Sequence, residues 1–181
     1  MNTLELQQRL DKQIKRKEKV ERAIERTQGE IKELKSKAAN TIQVAGLNWA
    51  LCNLGTDLDT PHGRHYTFDE AQKAIPDGWR LPTFDEFKQL HDRTTHEWIN
   101  RDGLNGMLFT DTDNGNEIFF PAAGHRDYTD GALLAVGTQG VYWSSSIGNA
   151  TYGLYLNFHA GYVYPQLDTN RMYGFPLRCV Q

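Results

Sequence analysis

From Thr3 to Ala38 the chain holds no proline and a single glycine, and it is built largely from Glu, Lys, Arg, Gln and Leu. Such a stretch has few options other than a helix. Placing heptad position a at Thr3, Leu10, Lys17, Ile24, Ile31 and Ala38 puts Leu6, Gln13, Val20, Thr27 and Leu34 at d. A narrow apolar stripe with 3-4 spacing and charged flanks predicts a coiled coil rather than a helix lying on its own domain. The rod would be roughly 50 Å long at about 1.5 Å per residue. In a parallel assembly Arg16 would face Glu21 of the neighbouring helix and Glu30 would face Lys35, both opposite-charge pairs. Homo-oligomerisation through residues 3–38 is therefore expected; Ile at a with Leu and Val at d leaves dimer and trimer open on these residues alone, with a trimer favoured.

The charge balance separates this stretch from the rest. Residues 1–39 carry 11 Lys+Arg against 7 Asp+Glu, whereas the remainder carries 9 against 16. Two modules with different surfaces are expected, 1–39 and 40–181. The net charge of −3 makes no case for nucleic acid or an acidic membrane surface. No apolar run is long enough to insert into a bilayer. "MNTLELQQRLDKQIKRKEKV" lacks a secretory signal, so synthesis in the cytoplasm is expected. Cys52 and Cys179 are too few for a disulfide scaffold and lack zinc-site spacing.

The second module reads as α+β. "NTIQVAGLNWALCNLG" is expected to be a strand. Two short helices follow, each opening on the same capping box, T-x-x-E, with Thr67/Glu70 and Thr83/Glu86. "MLFTDTDNGNEIFFPAAG" reads as two strands about an Asn114-Gly115 turn. "GVYWSSS", "GLYLNFHAGYVYPQ" and "GFPLRCVQ" supply further strands of a mainly antiparallel sheet.

Several chemical constellations fail on spacing. "DTDNGNE" resembles the start of a calcium loop, but Gly115 stands one place early and the twelfth position is Ala122. His62 and His65 have no third ligand nearby. "WSSS" lacks the glycines of a nucleophile elbow. Asp127 and Asp130 carry no spacing that argues for paired acid and base work. No cofactor, metal or catalytic group is expected.

Residues 141–181 hold six of the eight tyrosines, with four Gly, three Ser and three Asn, and only Asp168, Arg171 and Arg178 are charged. Tyr with Ser, Gly and Asn is the composition of binding loops, because Tyr offers large amphipathic contact with few rotors. Period 2 puts Leu154, Leu156 and Phe158 on one side of the strand and Tyr155, Asn157 and His159 on the other. Val163 and Pro165 likewise fall opposite Tyr162 and Tyr164. On composition alone, the tyrosines fit an open binding surface and a packed interface equally well.

The string "GWRLPTFDEFKQL … IFFPAAGHRDYTDGALLAVGTQGVYWSSS … YGLYLNFHAGYVYPQ … NR..GFPLRCV", within residues 42–181, resembles the paralogous C-type-lectin-fold domains of Bacteroidetes-type bacteria and their phages, a group first catalogued from Fibrobacter. It is most similar to the variable proteins of diversity-generating retroelements. The resemblance implies a C-type-lectin-like domain whose last strands and loops bind ligand. Residues matching the scaffold part are "YWSSS", Leu156, Phe158, Gly161, Val163, Pro165, Asn170, Arg171 and "GFPLRCV". The positions between them become the candidate diversified, ligand-binding residues: Ile147, Asn149, Thr151, Tyr152, Leu154, Asn157, His159, Tyr162, Tyr164, Leu167, Asp168, Thr169, Met172 and Tyr173. Leu154 conflicts with the period-2 sorting.

The same resemblance implies a non-enzymatic receptor-binding protein of a phage tail fibre or tail tip, with a host cell-surface protein or glycan as partner. A bacterial surface adhesin is the near alternative. Calcium-dependent lectins of related fold need a cluster of acidic ligands that the C-terminal segment, with Asp168 alone, does not supply. Formylglycine-generating enzymes share the fold and need a cysteine pair. Here Cys52 and Cys179 fall in the opening and closing strands, where they are expected to be buried packing residues within reach of each other. An intracellular scaffold using the tyrosines as a permanent subunit interface is a further alternative.

Overall fold

The computed structural model describes residues 3–39 and 41–181, without the side chains of residues 5, 6 and 30–39. Contacts divide the chain into two compact units, Met1–Asn40 and Thr41–Gln181. The first is one helix, α1 (Thr3–Ala39). Its surface is held by i,i+4 contacts such as Lys17–Glu21 and Glu18–Arg22, both at 3.8 Å. The seam residues Leu10, Val20 and Ile24 all lie open along the helix, Ile24 at 50% exposure. Leu6, Ile31, Leu34 and Ala38, and the Glu30–Lys35 pair, fall among the side chains outside the description.

The second unit is α+β and mainly antiparallel. The opening segment, expected as one strand, is a hairpin: β1 (Thr41–Val44) pairs with β2 (Leu47–Ala50). Ala45 and Gly46 turn the chain with φ of 51° and 81°. Alanine in the left-handed region is held there from outside. Its N–H donates to Asp111 Oδ2 (2.6 Å), and Gln89 Nε2 donates to its carbonyl (2.8 Å).

Helices α2 (Phe68–Ala74) and α3 (Phe84–Asp92) begin where the capping boxes place them, with Thr67/Glu70 and Thr83/Glu86 bonded reciprocally. Arg80 forks onto both oxygens of Glu86 at 2.6 Å, tying the linker to the second cap. A three-stranded sheet follows: β4 (Thr94–Arg101), β5 (Leu104–Asp111) and β6 (Glu117–Pro121). The Asn114-Gly115 turn joins β5 to β6, as the sequence suggests, whereas β4 carries no clean strand alternation in its sequence. Short β7 (His125–Arg126) and β8 (Leu133–Leu134) lead into a second three-stranded sheet. It comprises β9 (Gln139–Ile147), β10 (Tyr152–His159) and β11 (Tyr162–Asn170), with β10 central.

This second sheet is filled from both sides. One face carries Tyr142, Leu156 and Phe158 into a core with Phe87 and Leu90 of α3 and Phe109 and Phe120. The other carries Val141 and Trp143 into a core with Phe68, Ala71 and Phe175. Glycines let large rings lie flat on the strands. A Cβ at Gly140 would stand 2.0 Å from the Phe158 ring, and one at Gly153 would stand 2.4 Å from that of Phe68.

The closing segment returns to the opening one. β12 (Phe175–Pro176) pairs with β3 (His65–Tyr66), and Val180 bridges to both Trp49 and Arg80. Ala50 N–H donates to Cys179 O and Leu54 N–H to Leu177 O, each at 2.9 Å. Of the two cysteines expected inside, Cys179 is buried but Cys52 is exposed, because the chain leaves β2 before it. Both are free thiols.

Asp111 is the acid on which the first hairpin rests. Burial works against its charge. The N–H groups of Asp113, Ala45 and Asn114 and the nearby Arg93 guanidinium together hold the carboxyl below the ordinary 3.8. Its stabilising contribution is therefore complete above the unfolded value and is lost as pH falls through the lower folded one. Asp111→Asn should cost about 1–3 kcal/mol at neutral pH. It should also flatten the acid limb of stability against pH, read from urea midpoints down to pH 2.

Candidate binding surface at the C-terminal sheet

The fourteen candidate residues are sorted by two irregularities in the second sheet. Across β10 and β11, Asn157 stands opposite Tyr164 and His159 opposite Tyr162, but Tyr155 stands opposite Leu167. One residue separates Tyr155 from Asn157, whereas two, Pro165 and Gln166, separate Tyr164 from Leu167. This is a β-bulge, and it shifts the alternation by one residue. Tyr162, Tyr164, Leu167 and Thr169 consequently share one face, while Asp168 pairs with Leu154 on the opposite face, where its side chain stays exposed. Strict period 2 cannot produce that set.

At the hairpin end of the ribbon lies an open aromatic group. Tyr162 is 62% and Tyr164 42% exposed, and their rings stack at 5.7 Å. The half-buried His159 ring stands 5.5 Å from Tyr162 and 6.2 Å from Tyr164. Asn157, expected on this surface, is only 9% exposed. Gln139, opposite His159 across β9 and β10, donates to Asn157 Oδ1 at 2.9 Å and covers it. Asn157 is thus a buried support beneath the tyrosines.

In the middle of the ribbon the same face is roofed. Tyr155 packs on Trp143 and Phe175, with ring centroids 6.1 Å and 5.1 Å away. Burial pushes its phenol pKa up, as the Asp168 charge also does. Leu154, Leu167 and Thr169 are half-buried here.

At the far end, about 23 Å from the first group at roughly 3.3 Å per residue, Ile147, Asn149, Thr151, Tyr152 and Met172 are exposed. Asn149 is not a free contact. Its Oδ1 accepts from the N–H groups of Thr151 and Tyr152, closing the β9–β10 turn. Tyr173 leans on Phe175 and meets the Tyr128 ring edge-on at 4.9 Å. Arg171 clamps the turn after β11, pairing with Asp69 and stacking 4.7 Å over Phe68.

The structure therefore gathers most of the fourteen residues into two exposed groups joined by a half-buried middle, with Asn157 buried and Leu154 and Asp168 on the opposite face. Gln166 and Tyr128 are exposed beside these groups and were absent from the sequence-based set. Gln166 sits in the bulge, and Tyr128 lies far upstream in a polar loop, so neither follows from alternation in the last strands.

The profile of the family described as Fibrobacter succinogenes major domain matches residues 12–181 of the chain. The chain belongs to that family. The match begins inside α1, earlier than residue 42, where the resemblance was expected to start. No match was found among curated proteins or among solved structures. In the chain's C-terminal sheet, the exposed tyrosines sit on strands whose alternate residues form the core.

Proposed function

We propose that this chain is a non-enzymatic ligand-binding protein, with a C-type-lectin-like head carried on a parallel, trimeric coiled coil. Its C-terminal strands bind a host-surface ligand, and a retroelement diversifies them. The placement that fits best is a phage tail fibre or tail tip, assembled from chains made in the cytoplasm. The observation that carries this reading is the interleaving on β10 and β11. Buried Leu156 and Phe158 alternate with supports and exposed aromatics, so the outward residues can change while the core is kept. Multivalency would compensate for weak single heads, with an avidity gain on the order of 10²–10⁴.

The buried Cys179 favours this reading over an enzyme that needs a reactive cysteine pair. Burial pushes the Cys179 thiol up to about 11, which keeps it protonated and inert at neutral pH. The decisive test is to sequence the gene's 3′ end across descendants of one clone, together with its neighbourhood. Substitutions should concentrate in the codons for exposed residues such as Tyr162, Tyr164 and Met172. Each should trace to an adenine in a nearby near-copy beside a reverse-transcriptase gene. A locus with neither copy nor reverse transcriptase would sink the diversification claim.

A further inference from the structure

A cleft of about 410 Å³ opens beside the far-end group, between the start of α2, the β7–β8 loop and the turn after β11. Met172 and Tyr128 line it, so it is continuous with the candidate surface. Its other walls come from outside the last strands: Asp69, Glu70, Arg126 and Asp127, with Arg171 at its edge.

The bonding of these groups is half spent. Asp127 Oδ1 accepts from the N–H and the hydroxyl of Thr129, at 2.8 Å and 2.5 Å. Glu70 Oε2 accepts from the N–H and hydroxyl of Thr67, and Asp69 Oδ1 accepts from Arg171. Arg126 donates from Nη1 to Gly131 O at 3.0 Å. Each carboxylate is fixed in direction by one oxygen and retains a second as acceptor, while Arg126 retains further donors. Net charge across the five ionic groups is −1, from three carboxylates against two guanidiniums.

A simple anion would meet three carboxylates, and a simple cation two guanidiniums. A neutral ligand whose hydroxyls both donate and accept satisfies the two sets together. The exposed Tyr128 ring and Met172 thioether add an apolar wall for its C–H face. We propose that this cleft binds one saccharide unit of a glycan, through protein side chains alone. It extends the ligand-binding reading above by adding a subsite that the scaffold supplies beside the changeable residues.

Saturation-transfer NMR on the full chain, with methyl glycosides of glucose, galactose, mannose and N-acetylglucosamine at millimolar concentration, tests this. At least one glycoside should show transfer, unaffected by EDTA. Arg126→Gln and Asp127→Asn should each weaken it about tenfold, the loss of one charge-assisted hydrogen bond. Glu97→Gln, exposed on β4 and outside the cleft, should leave it unchanged. Absence of transfer from the whole panel, loss in EDTA, or indifference to both cleft variants would overturn the proposal. None of those outcomes bears on whether the gene's 3′ end diversifies, so the two readings fail separately.

Discussion

Replacing Arg178 with methionine is expected to destabilise the head by about 3 kcal/mol, although no carboxylate among the described residues partners this arginine. Arg178 is 1% exposed, and its guanidinium is held by neutral acceptors. Nε donates to Asn53 Oδ1 at 2.9 Å, Nη1 to Ala50 O at 3.0 Å and Nη2 to Phe119 O at 3.0 Å. The plane also sits 4.7 Å over Phe120. Burial pushes its pKa down, with the nearby Tyr142 and cysteine side chains pulling the other way. Asn53 passes the network on by donating to His62 O and Tyr142 Oη, and Tyr142 in turn donates to Pro121 O.

Methionine would refill most of the volume and relieve the cost of burying a charge. It would leave three buried acceptors unbonded, at about 1–3 kcal/mol each, and this is the larger effect. Lysine should rescue little, since one ammonium cannot reach three acceptors laid out for a planar fork. Urea unfolding should show a lower midpoint with an unchanged slope. A midpoint shift worth less than about 1 kcal/mol would mean that water replaces the guanidinium without loss.

Ile24→Asp should convert the proposed trimer to monomers at micromolar concentration while the head keeps its melting temperature. Ile24 lies at the middle of the α1 stripe, with Val20 one turn before it. In the proposed trimer three carboxylates would meet in one core layer, and burying them costs several kcal/mol. Each 1.4 kcal/mol is tenfold in association, so a loss of 100-fold or more is expected. Sedimentation equilibrium on the wild type and the variant reads this directly. A variant that stays oligomeric would place the contact between heads, and with it the alternative in which the tyrosines are a permanent interface.

Local signals in the sequence were reliable where the physics is local. Both capping boxes need residues only three apart, and both formed. The first hairpin was unread because its turn is Ala45-Gly46, and the group that holds Ala45 at positive φ is Asp111, sixty-six residues away. β4, "TTHEWINR", mixes charged and apolar residues without clean alternation, since one of its neighbours is the buried β5 and the other is solvent. On the candidate surface, period 2 holds from Tyr162 to Tyr164 and then fails at the bulge. Asn157 was misplaced for a different reason. Alternation gives the side of the sheet on which a residue lies, but not whether a neighbour such as Gln139 covers it.

The return of the closing segment to β2 and β3 also sets the order of events during synthesis. A ribosome delivers the α1 segment, the first hairpin and both capped helices well before the residues that tie them together. Trp49 and Arg80 acquire their shared partner only when Val180 has emerged. Contacts this long in sequence are expected to slow formation of the unit, because the loop must close before they reward it. The stretch bearing the candidate surface is threaded between the waiting half and its final staple. A change there that slowed strand pairing would prolong exposure of the Trp49 and Phe68 cores, so tolerance to sequence change at the surface is bounded by folding time as well as by final stability.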